Sequence, residues 1–193
     1  MDAAADYAAA VRALAHRLPA YVSYAVHSHV LAGPIDHSEN VTIVVRSSDG
    51  KIVRGKPPIF QLGSDSKYDS DVVLHPPFDP ACYAATGARG ETVDGVAAEA
   101  ITLSDTCKKK HENDGDFGTL YVDAGTHEPL AAVGTNVDET VYVRVQQHFA
   151  RAGAYLLPAA FDVRVKGSGM MFWLDITGHQ GYDSFVFSDK APA

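Results

Sequence analysis

The chain has 193 residues, 46% of them hydrophobic and 21% charged, with a formal net charge of −8. That length suits a single domain, residues 1–193, with a real core, and the composition is that of an ordinary globular protein. The negative balance excludes a nucleic-acid partner, because phosphate binding needs a basic footprint, and no run of about 18 apolar residues is available to span a membrane as a helix.

Residues 3–17 are alanine-rich and contain no Gly or Pro. Tyr7, Val11, Leu14 and Leu18 fall at helical spacing, so an amphipathic helix is expected there, ended by Pro19. The period then changes to two. In Tyr21–Val30, Val22, Tyr24, Val26 and Val30 share one face, and Ser23, His27 and His29 share the other. Gly33-Pro34 and Asp36–Asn40 read as a turn, and Val41–Arg46 as the next strand. Ser48-Asp-Gly-Lys51 reads as a tight hairpin turn, since Asp-Gly accepts the positive φ angles it needs. Lys51–Arg54 returns.

Residues 55–80 are rich in Pro, Gly, Ser and Asp, with a short strand expected at Asp71–Leu74. Phe78–Ala85 reads as a short helix with Asp79 as cap and Pro80 in its first turn. Gly87–Gly95 reads as loop and Ala97–Ser104 as a strand. Lys108-Lys-Lys110 runs into His111-Glu-Asn-Asp-Gly-Asp116, which cancels its field and suits a solvated loop. From Gly118 to Asp189 strands alternate apolar and polar residues. Val141, Val143 and Val145 oppose Tyr142 and Arg144; Phe161, Val163 and Val165 oppose Asp162 and Arg164; Phe172, Leu174 and Ile176 oppose Trp173 and Asp175. This pattern marks an antiparallel sheet with one solvated face, and short connections make a meander its simplest topology.

Catalytic motifs are scarce. No Gly-x-Ser-x-Gly elbow occurs. Asp123-Ala-Gly-Thr126 reads as a β-turn in which Gly125 takes the positive φ. His27 and His29 share a strand face and, with His37 in the turn that follows, are the metal candidate; an ordinary polar face is the competing account of them. Cys82 and Cys107 are compatible with one disulfide, or with two unrelated buried thiols. The apolar sheet face needs a cover, and helices at 3–18 and 78–86 look short for it. The face is either pure core or partly a cleft for an apolar ligand.

Four segments, Tyr21-Val-Ser-Tyr24, Glu39-Asn-Val-Thr-Ile-Val-Val-Arg46, Leu120-Tyr-Val-Asp-Ala-Gly-Thr-His-Glu-Pro129 and Tyr182-Asp-Ser-Phe-Val-Phe187, lie in the order helix, strands, irregular segment, long meander. In that order the chain resembles the LolA-like lipoprotein-carrier group, periplasmic lipoprotein chaperones and related lipid-binding lipoproteins. The resemblance implies an α+β fold, a large curved antiparallel sheet (an incomplete β-barrel) wrapped around the N-terminal helix, with a hydrophobic cavity between them and no enzymatic activity. Arg46 and Arg54 are the candidates for that group's acyl-binding arginine.

The expectation is therefore a non-catalytic carrier or binding protein for a lipid or lipoprotein acyl chain, without a cofactor. Core or cavity would be lined by Val22, Tyr24, Val26, Ile43, Val45, Val143, Phe161, Val163, Phe172 and Leu174. Its partners would be a hydrophobic small molecule or lipid and a transient membrane or lipoprotein contact, on a monomer. A periplasmic or secreted location is expected, with a cytoplasmic one as alternative because Met1-Asp-Ala-Ala-Ala-Asp-Tyr7 has no signal-peptide pattern. The alternatives are a metal-dependent hydrolase using His27, His29 and His37, and a protein-interaction module of the cell envelope.

Overall fold

The computed structural model describes residues 2–58, 78–107, 117–137, 140–169 and 172–192, with the side chains of Gly169 and Phe172 outside that description. The strand expected at Asp71–Leu74 and the Lys108–Asp116 segment therefore lie outside the described residues.

Among the described residues one helix, α1 (Ala3–Leu14), precedes ten strands. Asp2 caps it, its side chain accepting from the amides of Ala4 and Ala5. The helix stops short of the expected end, and Pro19 marks the entry to β1 instead. The strands are β1 (Tyr21–Ala32), β2 (Ile35–Arg46), β3 (Ile52–Arg54), β4 (Tyr83–Val93), β5 (Val96–Asp105), β6 (Phe117–Asp123), β7 (Pro129–Val137), β8 (Val141–Ala152), β9 (Tyr155–Gly169) and β10 (Phe172–Ser188). They form one antiparallel sheet in the order β3-β2-β1-β10-β9-β8-β7-β6-β5-β4. The meander is as expected, with one addition: β10 returns to pair with β1 along its length, Tyr21 against Ser188 and Ala32 against Ile176.

Two expected elements differ. Phe78–Ala85 is not a helix. Asp79 caps a single 3₁₀ turn, Pro80–Cys82, and the chain is already extended at Tyr83. Gly87–Gly95 is not a loop but most of β4, which pairs with β5 from Tyr83↔Asp105 to Val93↔Val96. Its small residues have weak strand propensity, so cross-strand pairing fixes its conformation. Asp94 (φ 50°) and Gly95 (φ 83°) form its hairpin turn. Similarly, Asp36–Asn40 is not turn but the first half of β2, and only Gly33-Pro34 reverses the chain.

The sheet curves. Tyr7 of α1, Val22 and Val45 near one edge, and Tyr83 and Leu103 near the other belong to the same buried cluster. Register shifts in β1, β4, β6 and the β8–β9 pair supply local bends. The edges β3 and β4 are not paired with each other, so the barrel is incomplete. The α+β architecture implied by the sequence resemblance is the one present.

α1 packs on β4, β9 and β7 at one end of this curve. Tyr7 and Ala10 are buried, and Val11, Leu14 and Leu18 pack against the core, as the helical stripe predicts. The Tyr7 hydroxyl donates to the Pro80 carbonyl at 2.6 Å. Burial, helped by the nearby Tyr83 and Asp79, pushes that phenol up to about 12. Phe78, fully buried, stacks on Tyr83 at 5.3 Å and meets Phe117 and Phe149 edge-on.

Cys82 and Cys107 are joined by a disulfide, their Cα atoms 5.1 Å apart. It staples the open end of the β4–β5 hairpin at the sheet edge. Closing a loop of that length is worth about 3–4 kcal/mol in the chain-entropy account. Reduction is therefore expected to lower the melting temperature by on the order of 10 °C, read by circular dichroism with and without reductant; an unchanged midpoint would show that the bond does not stabilise the fold.

Candidate functional site

Among the described residues, the inner face of the sheet is closed at the α1 end and open at the other. Strand register orders it into rows. At the α1 end lie Val22 beside Val45 and Tyr24 beside Ile43, all buried. Next come Val26 and Tyr182, also buried. Beyond them Val145, Val163, Gly178 and Val30 make a row across four strands. Then Val143, Val165 and Ile176 are only half-buried. At the far rim Val141 is 37% exposed, Leu174 38% and Ile35 51%. Water reaches apolar side chains there because a helix of twelve residues is about 18 Å long and lies at the opposite end. Its Asp6 meets His127 in the β6–β7 turn, and its trailing His16 ring meets Tyr155 at the start of β9.

Three inner-face positions near the opening carry no side chain: Gly134, Gly167 and Gly178. A Cβ on Gly167 would stand in ordinary contact with Leu174 at 3.7 Å and Val141 at 3.8 Å. These glycines leave room above the strands that larger residues would fill.

Of the ten expected lining residues, Val22, Tyr24, Val26, Ile43, Val45 and Phe161 are packed core. Val143 and Val163 lie partly buried at the core's margin, and Leu174 is on the exposed rim. Phe172 opens β10, and its side chain lies outside the described residues.

A row of buried polar groups separates the packed end from the open end. The register Gln147↔Phe161↔Gln180↔Ser28 carries it across β8, β9, β10 and β1. The Gln180 amide donates to Ser28 Oγ at 3.2 Å, and the Tyr182 hydroxyl donates to Gln180 Oε1 at 3.0 Å. Gln147 differs: it is 0% exposed, and neither its Oε1 nor its Nε2 has a hydrogen-bond partner. A buried amide without partners costs about 1–3 kcal/mol. Period-two alternation would place Gln147 on the inner face between Val145 and Phe149, and that is the signal by which the sequence could have shown it.

The outer face collects histidines, but not as a metal centre. His27 and His29 do share that face. His37 of β2, however, pairs with Val30 of β1 and therefore belongs to the opposite, inner face. The expected triad is thus split by the sheet. His27 contacts Asn40 at 2.7 Å and Asp183 at 3.1 Å, and His29 contacts Asp36 at 2.9 Å. Further along the face, Asp162 is held between His179 (2.7 Å) and His148 (3.2 Å). Burial raises the Asp162 carboxyl, but the bonds from His148 and His179 outweigh it and hold the group below the usual carboxylate range. Beside it, Arg144, Arg164, Thr177 and His29 line a shallow groove of about 260 Å³. Arg46, a candidate acyl-binding arginine, closes the β2–β3 turn on Asp49 instead.

Among the described residues one cluster of metal-ligand type does exist. Asp6 of α1, Glu99 of β5 and His127 of the β6–β7 turn bring potential ligand atoms within 4.8 Å of one another. In that turn Asp123 Oδ1 accepts from the amides of Gly125 (2.8 Å) and Thr126 (2.7 Å). The positive φ falls on His127 (59°), not on Gly125. Glu99 lies on the inner face, and burial and the neighbouring Asp6 raise its pKa.

Over their whole lengths, the chain is similar to two solved structures. One is a DUF1329 family protein from Desulfovibrio piger, with a TM-score of 0.53 and 10% identity, covering 100% of this chain and 96% of that one. The other is a LolA superfamily protein from Nitrosomonas europaea, with a TM-score of 0.49 and 11% identity, covering 99% and 96%. No family model and no curated protein matches the sequence. At these identities the DUF1329 likeness establishes the fold, an open antiparallel sheet curved round one helix, and function must come from the site.

Two outcomes are expected. Gln147→Leu should leave stability unchanged or raise it by about 1–3 kcal/mol, because it removes an unpaired amide; a clear loss in chemical denaturation would mean the amide is paired in solution. A carboxyl depressed in the folded state stabilises above its unfolded value, about 3.9, and the benefit is lost as pH falls through the folded value. The H148A/H179A variant should therefore melt below the parent protein at pH 6 and converge with it in strong acid. A gap that is the same at both pH values would contradict the assigned role of Asp162.

Proposed function

We propose that the chain is a non-catalytic binding or carrier protein for a hydrophobic ligand, a lipid or a lipoprotein acyl chain, seated on the open end of the inner face. One observation carries this reading: the apolar inner face continues past α1 to Val143, Val165, Ile176, Val141 and Leu174, where no described residue covers it. Apolar area left in water on a concave surface is the usual mark of a ligand site. Covering it would be worth about 25 cal/mol per Å².

The row of polar groups supports a ligand with a polar end. An acyl chain lying along Val143, Val163 and Val165 would bring its ester or amide to Gln147, whose donor and acceptor are both unused. The packed residues Val22, Tyr24, Val26, Ile43, Val45 and Phe161 would then form the floor of the site. The Cys82–Cys107 bond suits an oxidising compartment, the periplasm or the exterior. Among the described residues no helix is long and apolar enough to cross a membrane. We read the protein as a monomer without an organic cofactor, meeting membranes or lipoproteins only in passing.

Titration with a fluorescent long-chain acyl probe should saturate near one ligand per chain. Val143→Glu and Val165→Glu should each weaken binding by about tenfold or more, the cost of placing a charge beside the chain. Non-saturable binding, or affinity unchanged in both variants while circular dichroism shows them folded, would refute this site.

A further inference from the structure

We infer that Asp6, Glu99 and His127 form a binding site for one divalent transition-metal ion of the zinc class, which clips α1 to the sheet. Three separate elements converge there: the first turn of α1, the inner face of β5 and the β6–β7 turn. Asp6 Oδ1 and His127 Nδ1 are 3.2 Å apart, yet Nδ1 is buried and makes no aligned hydrogen bond. Glu99 Oε2 is likewise buried, and the Glu99 carboxyl faces Asp6. So the three groups converge on one place, with His127 and Glu99 both turned toward Asp6. Zinc bonds of about 2.0–2.2 Å in tetrahedral array hold ligand atoms about 3.3–3.6 Å apart, so the cluster needs only a small contraction.

Charge and chemistry agree. Two carboxylates side by side in a half-buried place repel, and a dication would cancel both charges. A nitrogen ligand among so few donors disfavours magnesium and calcium, which take six or more oxygens. His127 also holds a left-handed backbone, φ 59°, which costs a non-glycine residue energy and recurs where a side chain must be aimed. Asp123 maintains that turn through its bonds to Gly125 and Thr126. Sequence spacing gives no hint of this site, because its members are 93 and 28 residues apart along the chain (Asp6 to Glu99, Glu99 to His127).

The test uses the tag-free full chain, stripped with chelator and titrated with zinc chloride by calorimetry. One ion per chain is expected, with a melting temperature about 5–10 °C higher at hundredfold excess over the dissociation constant, and no comparable effect of magnesium. Cobalt substitution should give the absorption bands of a four-coordinate ion. Glu99→Gln and His127→Ala should abolish saturable binding while remaining folded by circular dichroism; Asp6→Asn, which keeps the shape of the side chain, is the third variant should either fail to fold. His27→Ala with His29→Ala on the outer face should leave binding intact. No saturable zinc binding, or binding lost with His27 and His29 and kept without Glu99 and His127, would overturn the assignment.

Discussion

Among the described residues, a ten-stranded sheet with one apolar face has a single short helix to cover it, and much of the structure follows from that mismatch. The twelve residues of α1 seal one end. The sheet answers by curving, so that Val22 and Val45 from one side meet Tyr83 and Leu103 from the other around Tyr7. Curvature closes the α1 end and leaves the far end with Val141, Leu174 and Ile35 in solvent. Among the described residues, the open mouth is thus a consequence of unequal areas and not of any one residue.

Two devices hold the unequal ends together. At the edge, the disulfide and the Phe78 ring cluster fasten the hairpin that would otherwise fray. At the seam, β10 returns to pair with β1, joining the amino-terminal strands to the meander. Edge strands β3 and β4 stay unpaired with each other, so the sheet can remain open without losing its core. The polar row of Ser28, Gln180, Tyr182 and Gln147 lies where packed interior gives way to opening. Buried polar groups are expensive in a core, and their placement at this boundary supports the proposed ligand with a polar end.

Much of this was legible in the residues. Period-two alternation from Leu120 to Phe187 gave strands and their faces, because side-chain direction in a strand is a local property. The Tyr7, Val11, Leu14 stripe gave α1 for the same reason. What failed was non-local. β4 is written in Ala, Gly, Thr and Arg, and only its pairing with β5 makes it a strand; the Asp94-Gly95 pair was the clue. His37 was placed in a turn because Asp36–Asn40 is polar, whereas pairing with β1 extends β2 through it and sends His37 to the other face. Asp6, Glu99 and His127 meet only once the helix docks. Leu174 follows the alternation correctly, but sequence cannot say which end of an apolar face is left uncovered.

The central claim is that the uncovered end of the inner face holds an apolar ligand. Native mass spectrometry of the protein purified without detergent tests it most directly. The account predicts an adduct of lipid mass, released on unfolding, identified after solvent extraction and absent from folded Val143→Glu protein. A bare chain mass under the same conditions, remaining bare after incubation with phospholipid or acylated peptide, would contradict it.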